Sequence, residues 1–194
     1  MSLRRLWWIV GAALLGAYIG VQTLPAMAAG AEVGMPSIAQ TEEGVQLTGN
    51  FALSLSPALA DAVNHGIPLV FQMEAELKRP RWYWVDETVF KVRTDRRLTY
   101  NALVRNYRVS EDQNGRNFMN LDDALNYIAR PVVWRMPSGL SRAGESIDVA
   151  IRFRLDPTFL PKPFQVVSFG DHDWRLDSDW RQFHLTVPAV AGGK

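Results

Sequence analysis

The stretch Leu69-Val70-Phe71-Gln72-Met73-Glu74-Ala75-Glu76-Leu77-Lys78 sets apolar side chains at 69, 71, 73, 75 and 77 against Gln72, Glu74, Glu76 and Lys78. A period of two belongs to a β-strand, whose successive side chains point to opposite faces of a sheet; a helix would repeat its apolar positions every three or four residues. The same rhythm returns at Ile147, Val149, Ile151, Phe153 and Leu155, opposite Ser146, Asp148, Arg152 and Arg154. It also runs through Val45, Leu47, Phe51, Leu53 and Leu55, and through Phe183, Leu185 and Val187. Strands with one wet face belong to antiparallel sheets, because parallel strands covered on both sides read as continuous apolar runs. The expected fold is all-β: an antiparallel β-sandwich, immunoglobulin-like, of about eight to ten strands.

Weaker strands are expected at Trp82 to Thr94, Leu98 to Asn101, Leu103 to Ser110 and Val132 to Met136. In the first of these the apolar parity changes near Asp86-Glu87, as a bulge or a bend requires. Asn114-Gly115 reads as the centre of a hairpin turn. Two short helices interrupt the sheets. Ser56 caps the first, Pro57 sits at its first turn and Gly66 ends it. Asn120 caps the second, Asp122 and Asp123 suit its positive end, and Leu121, Ala124, Leu125 and Ile128 form its apolar stripe until Pro131 stops it.

Ahead of this body, Arg4 and Arg5 precede an uncharged run from Leu6 to Leu24, and Ala26-Met27-Ala28 supplies a small-x-small cleavage site. That pattern reads as a signal peptide over residues 1–28, with an uncleaved membrane anchor as the alternative reading. Residues 29–36 read as a flexible lead-in, 37–190 as a single domain and 191–194 as a tail. The expected location is outside the cytoplasm, in the periplasm or on the outer face of the inner membrane. Contact with a membrane is expected only through the N-terminal segment.

Without the leader, 166 residues remain, carrying 19 Lys plus Arg against 20 Asp plus Glu. A domain of that size can bury a core of its own. So even a charge gives no long-range field for nucleic acid, and no nucleic-acid partner is expected. With no Cys, the chain holds neither disulfides nor thiol chemistry nor Cys-based zinc sites.

G-x-S-x-G, S-x-x-K and H-E-x-x-H are all absent, His65 and His184 have no sequence-local partner, and acid pairs such as Asp122-Asp123 or Asp86-Glu87 are common at caps and bends. Asp171, His172, Asp173, Asp177 and Asp179 hold the oxygen and imidazole donors a divalent cation would need, yet their spacing matches no EF-hand, and a solvated turn explains them as well. No enzyme, cofactor or metal is expected. Lys78, Arg79, Arg81, Trp82, Tyr83 and Trp84 interleave cations with aromatics, and Arg96, Arg97, Arg105 and Arg108 are placed on nearby strands. Such a surface could stack a sugar or bind lipid head groups, unless Trp82 and Trp84 point inward. Leu160-Pro161-Lys162-Pro163-Phe164-Gln165 reads as a stiff extended loop, either a recognition element or a rigid crossover. The candidate interaction surface is therefore Arg79, Arg81, Trp82, Trp84, Arg105, Pro161, Lys162, Pro163 and Phe164.

Taken with the leader, the Leu98 to Tyr107 segment, the Leu121 to Ile128 helix, the Pro161-Lys162-Pro163 loop and Asp173-Trp174-Arg175-Leu176 to Trp180, the chain resembles an uncharacterised bacterial exported family described as proline-rich signal peptide proteins, a domain of unknown function. That resemblance carries over no reaction and no catalytic residue. It implies an envelope protein partner, with a membrane sensor kinase as one candidate, since family members are encoded near such a kinase. The function expected is that of a non-catalytic binding or protein-interaction module. A lipid- or carbohydrate-binding domain around Trp82 and Trp84 is the second reading, and a metal-assisted hydrolase at Asp171 to Asp179 the third.

Overall fold

A computed structural model describes residues 30–41, 44–79, 87–137 and 143–189. Over these the chain is mostly β, with antiparallel sheets and three α-helices. Strands β1 (Gly30–Val33), β2 (Ser37–Thr41), β3 (Gly44–Gly49) and β4 (Phe51–Ser54) come first, followed by helix α1 (Pro57–Asn64). A meander of β5 (Leu69–Arg79), β6 (Glu87–Asn101), β7 (Asn106–Glu111) and β8 (Asn114–Phe118) leads to helix α2 (Leu121–Ile128). Then come β9 (Val132–Met136), β10 (Ser146–Leu155), helix α3 (Lys162–Gly170) and β11 (Arg181–Thr186).

Six strands form the main sheet in the order β11-β10-β5-β6-β7-β8; β2-β3-β9 form a second sheet and β1-β4 a third. The alternation of β5 works as its sequence demands. Leu69, Phe71, Met73, Ala75 and Leu77 are fully buried, and across the register they lie beside Phe153, Ile151 and Val149 on one side and Leu98, Thr94 and Val92 on the other. Onto this inner face packs the three-stranded sheet. Trp134 of β9 reaches across, its indole N–H donating to Thr94 Oγ1 at 3.0 Å, and Phe51 meets both Trp134 and Phe153 at ring distances of 6.2 and 5.3 Å. Gly49 leaves room for this junction, since a Cβ there would lie 2.8 Å from the Trp134 ring.

The two expected helices form where their caps place them. Ser56 Oγ accepts the N–H of Leu59, and Asn120 Oδ1 accepts that of Asp123 at 2.8 Å. Ala124 and Ile128 are buried, and the stripe on α2 covers one end of the inner face of the sheet. Beneath it, Arg96 is 3 % exposed and ties helix to sheet: its guanidinium donates to the carbonyls of Ile128 and Arg130 and to the Glu111 carboxylate, at 2.7 to 2.8 Å.

Several expectations are corrected. The Pro161-Lys162-Pro163 segment does not form an extended loop. Leu160 is extended, but α3 starts at Lys162, with the N–H groups of Phe164 and Gln165 already bonded to the Pro161 carbonyl. Prolines in a first helical turn give up N–H groups that would have had no partner there, so the pair that suggests polyproline also suits a helix start. Gly30 to Val33 is not a flexible lead-in, because it pairs with Phe51 to Ser54 and buries Ala31 and Val33. The run from Val45 to Leu55 is two strands, broken at Asn50, whose side chain donates to the Met35 carbonyl while its own carbonyl accepts the Gly34 N–H. Both partner pairs turn this corner together, which moves the chain from one sheet to another.

Further along, β6 is one strand of fifteen residues rather than two. Its irregularity falls at Val89, the extra residue between the pairs Leu77↔Phe90 and Lys78↔Thr88. The hairpin after β7 closes at Glu111↔Asn114, so its turn is Asp112-Gln113, with Asp112 at φ 51°; Asn114-Gly115 already belongs to β8. Aspartate tolerates the left-handed region better than most residues, which lets it take the place expected of glycine. Eleven strands are present among the described residues.

Candidate functional site

The residues singled out from the sequence do not gather at one place. Arg79 ends β5 beside Glu145, with 3.2 Å between Nε and Oε1. Arg105 sits at the far end of β6, in the tip of the β6–β7 hairpin, about 45 Å away at strand rise. Pro161, Lys162 and Pro163 are exposed at the start of α3. Arg81, Trp82, Trp84 and Asp86 lie outside the described residues, as do the leader and the tail.

Of the expected set, Phe164 is the residue that makes a partnership sequence reading did not show. Its ring stacks on Trp174 at 4.9 Å and 28°, joining the Pro-Lys-Pro stretch to the Asp173-Trp174-Arg175-Leu176 stretch. Trp174 itself is held in a 3₁₀ turn over His172–Trp174, capped by Asp171, whose carboxylate accepts the Asp173 N–H. Asp177 caps Asp179 in the same way and takes both a Nε and a Nη2 hydrogen bond from Arg152. Burial pushes the Asp177 carboxyl up; the Arg152 hydrogen bond and the Asp179 amide outweigh it and hold the group below the usual carboxylate range. These acids are thus spent on turns and an ion pair. Among the described residues no three His, Asp or Glu side chains are grouped to hold a metal.

Both histidines do meet acids: His65 has a sequence-local partner after all, four residues back on α1, whereas the partner of His184 follows only from strand register. His184 Nδ1 bonds Asp148 across the β10–β11 pairing, and His65 contacts Asp61 one helical turn back.

On the outer face of the main sheet the side chains form rows, Ala150–Glu76–Lys91, Arg152–Glu74–Arg93 and Arg154–Gln72–Asp95, of which Ala150 and Gln72 are buried. Charges alternate across strands, with Lys91 to Glu76 at 2.8 Å and Arg154 to Glu74 at 3.5 Å. Asp95 is the group set against its surroundings. Burial raises its pKa, Arg93 opposes the shift, and Asp156 and Asp112 add to it. A raised carboxyl pKa favours folding fully only below the ordinary value near 4, and that advantage is lost as pH rises through the raised one. Asp95→Asn is therefore expected to be more stable than wild type at neutral pH, by less than about 1 kcal/mol since the group is partly solvated, with the gap closing toward pH 3. Urea unfolding of both proteins at several pH values checks this; a gap that widens on acidification would contradict it.

The exposed end of the meander has a different character. Asn114 to Asn117 are all exposed, and β8 has a partner only in β7. With Glu111↔Asn114 closing the hairpin, bonded pairs alternate, so the backbone N–H and C=O of Gly115 and Asn117 face the open edge. Beside them stand Arg108, whose guanidinium lies flat on Gly115, and Arg116, above the Tyr127 ring at 5.5 Å. Arg105, at φ 50°, and Leu103, 95 % exposed, form the neighbouring tip, where Asn101 Oδ1 accepts the N–H groups of Leu103 and Val104. No carboxylate pairs with Arg105, Arg108 or Arg116 among the described residues.

A family model described as "Domain of unknown function (DUF4390)" matches residues 28–184, ending within β11. The chain belongs to that family. The match takes in both the meander and the stretches joined by Phe164 and Trp174. No curated protein and no solved structure matches the chain. Among the described residues no helix is long and apolar enough to cross a membrane.

Proposed function

We propose that this chain is an exported, non-catalytic binding module that takes an extended, acidic segment of an envelope protein onto the free edge of β8. The observation carrying this reading is the row of outward backbone groups at Gly115 and Asn117, flanked by Arg108 and Arg116. A strand added to a sheet edge gains main-chain hydrogen bonds, and carboxylates on that strand would meet guanidinium groups otherwise left to water. Export is supported by the basic head, apolar run and Ala26-Met27-Ala28 site. A membrane sensor kinase is the partner suggested by the family resemblance. Two packed antiparallel layers, three strands on six, support the immunoglobulin-like sandwich as the class of scaffold.

Asn117→Pro tests the edge. It removes an N–H that bonds no other strand, so the fold should lose no more than about 1 kcal/mol while the docking strand loses a donor. Crosslinking of the full chain in its native envelope, with the linked peptides mapped, should place an acidic segment against Asn114 to Phe118. That crosslink should vanish in Asn117→Pro and fade in Arg108→Glu. A crosslink pattern indifferent to both changes overturns the reading.

A further inference from the structure

Beside the C-terminal end of β10, away from β8, lies a cleft of about 350 Å³. Its apolar wall is Leu155, Pro157, Leu176 and the Trp174 indole, and its polar rim is Arg154, Arg175 and Asp177. The volume is that of a small-molecule site, and the mixture of a mainly apolar lining with a few fixed polar groups is what such sites use.

The charges on the rim do not cancel. Asp177 is taken by Arg152. Arg154 lies 3.5 Å from a Glu74 oxygen but out of line with it, so its buried Nε–H has no acceptor. Arg175 is exposed and, among the described residues, has neither a carboxylate nor a hydrogen bond for its side chain. The Arg154 Nε–H is closed off from solvent, so the exposed Arg175 guanidinium is the group left over, next to an aromatic plane. That plane is fixed in advance: Phe164 stacks on the indole, and the Asp171 cap and the Ser56 hydroxyl, which donates to the Asp173 carbonyl, hold the turn that carries it. A ligand entering here need not order the wall against which it packs.

We infer that this cleft binds a small amphipathic carboxylate, its flat or short apolar body against Trp174, Pro157 and Leu155, and its carboxylate met by Arg175 at the rim. A neutral ligand would leave the Arg175 guanidinium to water, and a cation would face it. The site is independent of the β8 edge, so either can fail without the other.

The test uses the full chain and three probe pairs: indole-3-acetate with tryptophol, benzoate with benzyl alcohol, and octanoate with octanol. Titration calorimetry should show saturable binding of at least one carboxylate, with its neutral counterpart weaker by about tenfold or more, the worth of one charge-assisted hydrogen bond. Arg175→Gln should weaken the carboxylate by a similar factor, leave the alcohol unchanged and leave the unfolding midpoint where it was, because the side chain is exposed. Trp174→Phe should weaken both members of the pair. Failure of all three carboxylates to saturate overturns the inference, as does a carboxylate affinity that Arg175→Gln does not change.

Discussion

Arg96→Met is expected to cost about 3–5 kcal/mol, the loss seen when one partner of a buried, hydrogen-bonded charge is removed. The side chain is almost wholly enclosed and serves three acceptors at once: the carbonyls of Ile128 and Arg130, and the Glu111 carboxylate. The last carbonyls of a helix have no partner within it, and here they face the sheet rather than water. A guanidinium group fills that role because its donors lie in one rigid plane; a methionine of similar length leaves every acceptor stranded. Arg96→Lys should restore only part of the loss, having one small ammonium group for a fork-shaped set of contacts. Urea unfolding measures the change, and amide exchange over Ala124 to Ile128 should rise ahead of the rest. A loss under about 1 kcal/mol would mean that the freed carbonyls reach water.

Phe153→Ala is expected to cost about 3–5 kcal/mol, the usual range for removing a fully buried phenylalanine ring and leaving a cavity. Phe153 is 0 % exposed and stands where three elements meet, with Phe51 of β4 at 5.3 Å and Phe71 of β5 at 6.0 Å. Its removal therefore takes away both core volume and the aromatic contact between the β1–β4 layer and the main sheet. Phe153→Leu should cost less than half as much, since most of the volume stays. Val133→Ala on β9, a site 53 % exposed, should change stability by no more than about 0.5 kcal/mol. Chemical denaturation of the three variants checks the order; equal losses at 153 and 133 would show that the aromatic junction carries no weight.

Much of this architecture can be read directly from residue patterns. The alternation at 69–78 and 147–155 places two central strands, and both helix caps, Ser56 and Asn120, make the bonds their residue types suit. What sequence reading misses depends on context. Pro161 and Pro163 are compatible with an extended run and with a helix start, and burial of Leu160 together with the Phe164–Trp174 stack decides between them. Gly30 to Val33 has too few residues to show a period, and becomes a strand only because Phe51 to Ser54 offers it an edge. The break at Asn50 leaves the apolar rhythm intact while dividing one apparent strand between two sheets.

Functional residues are less legible still, for a physical reason. An edge flanked by Arg108, lying over Gly115 on one face, and by Arg116 on the other has no local spacing to announce it. The same holds for Trp174 and Arg154, twenty positions apart and joined only by the fold. Arg79 and Arg105 are both basic and lie on or near paired strands, yet β6 is long enough to put them at its opposite ends.

The rim of the sheet at β8 also bears on how copies of this molecule behave toward one another. Unprotected strand borders invite like chains to stack into aggregates, and natural sheets resist this by placing charge there. Two identical molecules meeting through Asn114 to Phe118 would bring guanidinium groups against guanidinium groups across the new ladder. The border thus repels its own kind, so a bare stretch of backbone does not template its own stacking.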